Sequence, residues 1–462
     1  MSVMMSEQTS LEVAGKRVAV MGLGRSGLAA VRLLRRLGAH VTVADQKPSS
    51  ELATALNGLS AGMVEIHGAG NYEPALHGAE VVVVSPGVPL TLEPIRRARA
   101  SGARIIGELE LASRHLTGRV LAVTGTNGKS TTVTWIGEFL RGAGYDPFVG
   151  GNLGTPLAEA ALASLDGKVW DLVVAEVSSF QLETIETFRP WVGAILNVTP
   201  DHLDRYPSMD AYAAAKLRLF ENQDDADYAV LNADDPRLAR LSVRSRGARI
   251  EFSRTRPVER GVCLDGDVIV SNLYGRRDEV CRVGALQVRG AHNIENAMAA
   301  IAVAALAGCP MEAIDRGLRA FRGLEHVMEV VRVLRGVAYI DDSKGTNVDA
   351  TIKALESVPA PVILIAGGRE KGGEYPGLAE AVRRKAKRVV LLGEARARLR
   401  EVLAGTCPLT EAATLADAVR DAASTAVAGD TVLLSPACAS FDMFTDYKDR
   451  GRRFKEYVHE LG

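Results

Sequence analysis

The strongest chemical signal in the chain is the segment VLAVTGTNGKSTT at residues 120–132, an apolar run that opens into a glycine-rich loop. Backbone N–H groups from Gly125, Thr126, Asn127 and Gly128 would surround anionic oxygens, and Lys129 would add an ammonium. Ser130 and Thr131 would follow at the start of a helix, the Ser130 hydroxyl suited to Mg²⁺. The glycine spacing is shorter than in the general G-x-x-x-x-G-K-[ST] pattern, so this is a variant phosphate loop, and its expected ligand is ATP.

Three further groups suit a metal beside those phosphates. Glu176 ends the apolar run of DLVVAEVSSFQLE, where an acid at the carboxyl edge of a parallel sheet reaches a bound cation. Asp201, His202 and Asp204 follow another such run in AILNVTPDHLDRY. Lys216, in AYAAAKLRLF, shares a helical face with Tyr212, Leu219 and Phe220. Burial there would leave its amine partly neutral, and a neutral amine adds CO₂ to give a carbamate, an anionic metal ligand. The alternative is a lysine whose head reaches water.

A second glycine loop lies near the start, in KRVAVMGLGRSGLAAVRLL. Gly22, Gly24 and Gly27 have the G-x-G-x-x-G spacing, and Asp45 follows at roughly the offset of a ribose-binding acid. Such a loop binds any diphosphate, so a UDP-sugar fits as well as a nicotinamide dinucleotide, and a ligand-free turn is also open. Gly24, Arg25 and Ser26 at the helix start, and Ser85 and Gly87 in the S-P-G turn after VVVV, are the candidate contacts.

Composition narrows the class. With 55 basic and 56 acidic residues the net charge is -1, so no global field favours nucleic acid or an anionic membrane. Five cysteines without a C-x-x-C pair argue against a disulfide framework or a zinc site, and suit a cytoplasmic protein. Neither a signal peptide nor an apolar run long enough to span a bilayer is expected.

These residues need a scaffold that brings loops together at strand ends. Short β-branched runs alternate with Ala/Leu/Arg-rich helical stretches, the pattern of α/β units with parallel sheets. Strands are expected at 17–21, 81–85, 120–124, 172–177, 194–197, 337–340, 362–366, 389–392 and 431–434. Residues 237–286 break the pattern and predict small antiparallel strands. At 462 residues several cores are expected. We divide the chain into 1–107, a Rossmann-like domain; 108–323, a P-loop ATPase-like domain with a parallel sheet; and 324–462, a second Rossmann-like domain.

Eight segments in order make the chain resemble the Mur ligase family: GTNGKST, GNLGTP, EVSSFQLE, NVTPDHLDRY, AKLRLF, GAHNIENAMAA, DDSKGTN and LLSPACASFDMF. SSFQLE and SPACASFDMF look like the branch that adds D-glutamate. The resemblance implies an ATP- and Mg²⁺-dependent ligase, expected to be monomeric, joining D-glutamate to UDP-N-acetylmuramoyl-L-alanine. It further implies Ser130 and Glu176 at one Mg²⁺, and His202 with carbamylated Lys216 at a second. Asn152 would meet the muramoyl substrate, Asn293 and Asn296 the adenine, and Asp342, Lys344 and Thr346 the ATP and amino-acid side. Lys371, Ser440, Phe441 and Tyr447 would position D-glutamate. After Gly323-Leu324-Glu325-His326 the family usually has an arginine for the nucleotide phosphates. Val327 stands there, so that charge would have to come from a nearby basic residue such as Arg322 or Arg332. Rival classes are a nicotinamide oxidoreductase, a sibling or folate-polyglutamate ligase, and a non-enzymatic P-loop switch.

Overall fold

The structure, a computed structural model, describes residues 11–57, 64–240, 245–370, 375 and 377–462. Three sheets follow one another along the chain. The first holds β1 (Arg17–Met21), β2 (His40–Ala44), β3 (Val64–His67), β4 (Val81–Val84) and β5 (Arg104–Gly107) in the order β3-β2-β1-β4-β5. All its pairings are parallel. Every residue of the VVVV strand is buried, as expected where helices cover both faces. The helix Arg25–Arg36 buries Ala29, Ala30, Val31, Leu33 and Leu34, with Arg35 and Arg36 at the end where the backbone dipole favours cations.

The central sheet has nine strands: β6 (Arg119–Thr124), β7 (Phe148–Gly151), β8 (Leu172–Glu176), β9 (Val192–Ile195), β10 (Tyr228–Asn232), β11 (Ala248–Ser253), β12 (Gly261–Asp265), β13 (Val268–Ser271) and β14 (Asp278–Arg282). Their order is β14-β13-β12-β11-β10-β9-β6-β8-β7. The expectation for 237–286 needs correction. β11 and β12 extend the sheet in parallel, and only β12-β13-β14 form an antiparallel meander. The connection from β10 to β11 is long enough for a crossover, whereas those between β12, β13 and β14 fit hairpins.

The third sheet joins β15 (Glu329–Leu334), β16 (Val337–Asp341), β17 (Val362–Gly367), β18 (Ala386–Leu392), β19 (Leu409–Glu411) and β20 (Thr431–Leu434) in the order β15-β16-β20-β17-β18-β19. It is parallel except for the edge strand β15. Each proposed strand position coincides with a strand to within a few residues at either end.

Two helices set the floor of the site. Lys129–Gly142 leaves the glycine loop and buries Trp135, Ile136, Phe139 and Leu140. Against it packs Ala291–Leu306, buried throughout 296–305. Its alanines allow close approach at no loss of helix propensity, and its first turn brings Asn293 and Asn296 to the loop.

Candidate active site

A cavity of about 370 Å³ opens where the carboxyl ends of the central strands meet the C-terminal sheet. Its wall includes the loop residues Thr126, Asn127, Gly128, Lys129, Ser130 and Thr131. Gly128 has φ 86°, and a side chain there would stand 2.1 Å from the Asn296 amide oxygen, so glycine is required by backbone and neighbour alike. Asn197, at the exit from β9, clasps Asn127: its Oδ1 accepts the Asn127 N–H at 2.9 Å, and its Nδ2 donates to the Asn127 carbonyl at 3.1 Å. Lys129 folds its ammonium back on the loop, donating to the carbonyls of Gly125 (2.9 Å) and Thr126 (2.8 Å).

Glu176, the last residue of β8, is buried in the same wall. Its carboxylate accepts the Ser130 hydroxyl at 2.5 Å and the Asn152 amide at 3.0 Å. Lys344 donates to Ser130 Oγ from the C-terminal domain. Asp201 and His202 lie alongside, with His202 Nε2 3.6 Å from Asp201 Oδ2 and its ring 4.7 Å from that of Phe180. His202 has φ 58°, a conformation unfavourable for a non-glycine residue that tertiary contacts must hold. Asp204, the third member of that group in sequence, is exposed and off the wall.

Lys216 does not reach water. It is 1% exposed, its Nζ donates to Gly125 O at 2.9 Å, and the ammonium lies 4.5 Å from the Tyr212 ring centre. Burial, aided by the nearby Lys129 charge, holds its pKa well below the ordinary lysine range, against the opposing pull of Asp201 and Glu176. Burial also pushes Asp342 up to about 7 and Lys344 down to about 8. Asp342 accepts the Ser435 hydroxyl at 2.7 Å. The donors gathered here are a hydroxyl, carboxylates, an imidazole and a lysine able to become a carbamate. This oxygen-rich set fits a hard divalent cation such as Mg²⁺.

Among the other sequence candidates, Asn152, Asn293, Asn296, Thr346 and Tyr447 line the cavity, while Ser440 and Phe441 do not. Ser440 is buried and Phe441 is 62% exposed. Lys371 lies outside the described residues. Val327 is on the wall, but neither proposed substitute for its missing charge reaches it. Arg322 donates to Gln287 Oε1 (2.9 Å) and Arg332 to carbonyls at the end of the chain, including Leu461 O (3.0 Å). The wall basic residue nearest in kind, missed in sequence, is Lys353, one turn beyond the start of the helix Val348–Ser357. His292, Glu295 and Asn347 were missed too, although each lies within a segment already singled out, GAHNIENAMAA or DDSKGTN.

The N-terminal candidates gather apart from this cavity. Asp45 accepts the N–H of Leu23 (2.6 Å) and of Lys47 (2.9 Å), and Ser85 Oγ donates to Gly22 O (2.7 Å). Gly24 caps the helix that begins at Arg25 and Ser26, and Gly87 is in the turn after β4. Arg25 reaches across to Gly154 O at 3.4 Å, just beyond Asn152.

Three family models cover this arrangement in order: Mur ligase MurD-like, N-terminal domain, at residues 16–107; Mur ligase middle domain at 123–304; and Mur ligase, glutamate ligase domain, at 328–438. The chain belongs to the Mur ligase family. Among its relatives, the UDP-N-acetylmuramoylalanine--D-glutamate ligase of Pelotomaculum thermopropionicum is 48% identical over 451 residues, covering 96% of this chain and 98% of the relative. The ligase of the same name from Syntrophotalea carbinolica is 44% identical, covering 97% and 99%. In fold the chain is similar to the UDP-N-acetylmuramate-alanine ligase MurC of Thermotoga maritima, with TM-score 0.60, 20% identity and coverage of 97% and 100%.

Proposed function

We propose that this chain is the ATP-dependent ligase that joins D-glutamate to UDP-N-acetylmuramoyl-L-alanine during peptidoglycan precursor synthesis. The observation that carries the proposal is a single cavity in which the phosphate loop, the Glu176–His202–Lys216 group and the DDSKGTN loop meet, in a chain 48% identical over nearly its full length to a D-glutamate-adding ligase.

A carboxylate becomes an acylating agent only when one oxygen is made a leaving group, and transfer of the ATP γ-phosphoryl to the alanyl carboxylate supplies an acyl phosphate. Loop N–H groups from 125–131 and the Lys129 ammonium cradle the phosphates and offset charge that builds during transfer. Ser130, Glu176, His202 and a carbamate on Lys216 would hold Mg²⁺, which when bound supplies further charge neutralisation at the phosphate oxygens. The depressed pKa of Lys216 favours the neutral amine that CO₂ requires. Asn152 orients the acceptor carboxylate, and Asn293 and Asn296 face the adenine. Asp342, Lys344 and Thr346 close the ATP and amino-acid side. Tyr447 on the wall, together with Lys371, orients D-glutamate, whose amine attacks the acyl phosphate and expels phosphate. Closure of the domains around the cavity would exclude water that otherwise hydrolyses that intermediate.

In this scheme residues 1–107 hold the uridine nucleotide through Gly24, Arg25, Ser26, Asp45, Ser85 and Gly87. Residues 108–323 hold ATP, and 324–462 bring the amino acid. We take the working species to be a cytoplasmic monomer. No helix among the described residues is long and apolar enough to cross a membrane.

Phosphate release is the test, using ATP, Mg²⁺ and UDP-N-acetylmuramoyl-L-alanine with D-glutamate, L-glutamate, L-alanine or a diamino acid in turn. Release dependent on D-glutamate alone is expected. Preference for another amino acid would move the chain to a sibling ligase. Intact-mass analysis checks the carbamate, expected as one added CO₂ that a Lys216→Arg variant lacks.

A further inference from the structure

Asp349 is the second residue of the helix Val348–Ser357, where a carboxylate is favoured by the helix dipole alone. Its contacts go well beyond its own helix. One oxygen, Oδ2, accepts three donors: Asn127 Nδ2 at 2.7 Å, Thr199 Oγ1 at 2.9 Å and Lys353 Nζ at 2.9 Å. Asn127 is in the ATP loop, and Thr199 is in the loop after β9. Thr199 is itself bound to the ATP loop, since its N–H donates to Thr126 Oγ1 (3.0 Å) and its carbonyl accepts that hydroxyl (3.1 Å). The C-terminal domain therefore grips Asn127 directly and Thr126 through one intermediary, from a single carboxylate oxygen.

This contact differs from the other bridges between the two domains. Lys344 to Ser130, and Asn347 to Asn127 (3.1 Å) and Asp201 (3.2 Å), each join two residues of the cavity wall, where substrates must compete for the same donors. Asp349 is not on that wall. Thr199 is off it too, so the Asp349–Thr199 bond can persist while the cavity is filled, whereas Asn127 and Lys353 are wall residues. A charged acceptor shared by several donors is also among the stronger hydrogen-bond arrangements.

We propose that Asp349 is a positioning residue, an interdomain latch that holds the ATP loop in shape, through Asn127 and Thr199, only while the C-terminal domain is docked. It rests on the assignment of 125–131 as the ATP loop and touches no substrate. It makes the approach of the amino-acid-bearing domain and the readiness of the phosphoryl donor a single event.

The test uses the full chain with Asp349→Ala, Asp349→Asn, Thr199→Val and the Asp349→Ala/Thr199→Val double variant. For Asp349→Ala, kcat/KM for D-glutamate falls about tenfold or more, the loss typical of a hydrogen bond to a charged group. The KM for the UDP-linked acceptor, held by the other end of the molecule, stays within about twofold. Asp349→Asn keeps an acceptor oxygen and recovers activity to within about threefold of the native protein. Because the two side chains share one interaction, the double variant is no worse than the more impaired single variant. Solution X-ray scattering with a non-hydrolysable ATP analogue shows a larger radius of gyration for Asp349→Ala than for the native chain.

Unchanged scattering, multiplicative losses in the double variant, or equal loss of acceptor affinity would each overturn the latch. Native protein that releases no phosphate with D-glutamate would sink the ligase assignment instead, and the scattering comparison would still decide the latch.

Discussion

The chain contains two glycine loops that read alike and behave differently. In both, a buried parallel strand turns through glycines into a helix. Around Gly22–Gly27 the polar neighbours are turned inward on the loop: Asp45 takes two backbone N–H groups, and Ser85 caps the Gly22 carbonyl. Around Gly125–Thr131 they converge on a cavity, with Lys129, Ser130, Glu176, Lys216 and Lys344 all on its wall. Glycine spacing therefore reports only the path of the backbone. What a loop does depends on which charged and hydroxylated side chains the rest of the fold delivers beside it.

The sharpest way to break this comparison is Lys129→Ala. Removing the charge that the proposed mechanism assigns to the phosphates should cut the rate of phosphate release by about a thousandfold, with binding of the UDP-linked acceptor unchanged by calorimetry. Comparable loss of both would mean that the two loops work as one site.

Glu108, where the N-terminal and central domains join, offers a pH-dependent test. Burial raises its carboxyl from 4.5 to about 7, the Ala158 N–H donates to Oε1 at 2.6 Å, and Oε2 has no partner. Because the folded value lies above the unfolded one, ionisation is disfavoured by folding, so this residue costs stability as pH rises from about 4.5 to 7. Glu108→Gln should match the native chain in stability below pH 4.5 and exceed it by up to about 3 kcal/mol above pH 7, measured by urea denaturation.

Gly27→Ala probes the first loop's backbone. The added carbon would sit 1.9 Å from the Gly22 carbonyl oxygen, so a loss of about 2 kcal/mol and a raised KM for the UDP-linked acceptor are expected, with the KM for ATP unchanged. Asp45→Asn should be the mildest change, since an amide oxygen can still accept from Leu23. A few-fold rise in acceptor KM is expected, about the value of one weakened hydrogen bond. An effect as large as that of Lys129→Ala would show Asp45 to be more than a brace.

Much of the site was legible because its chemistry is contiguous. Residues 125–131 carry glycines, a cation and hydroxyls in one stretch, and Glu176 ends a run of apolar residues that only a buried strand would carry. Lys216 was legible in part, since its apolar helical face pointed to burial, though a long side chain in a short helix can still escape to water. Lys353 and Asp349 were not legible, because a lysine and an aspartate four apart look like an ordinary solvated helical pair.

The sequence by itself determined the three α/β units, the two glycine loops and the candidate groups for phosphate and metal. Those features depend on local periodicity, turn chemistry and side-chain type, all of which are encoded within short segments. Only the tertiary structure decided that Lys216 is sealed from water beside Gly125, that Asp45 is occupied by its own loop, that Arg322 and Arg332 point away from Val327, and that Asp349 reaches Asn127 across 222 residues. Burial and partnership belong to surfaces brought together from distant parts of the chain, and no local pattern specifies which surfaces those are.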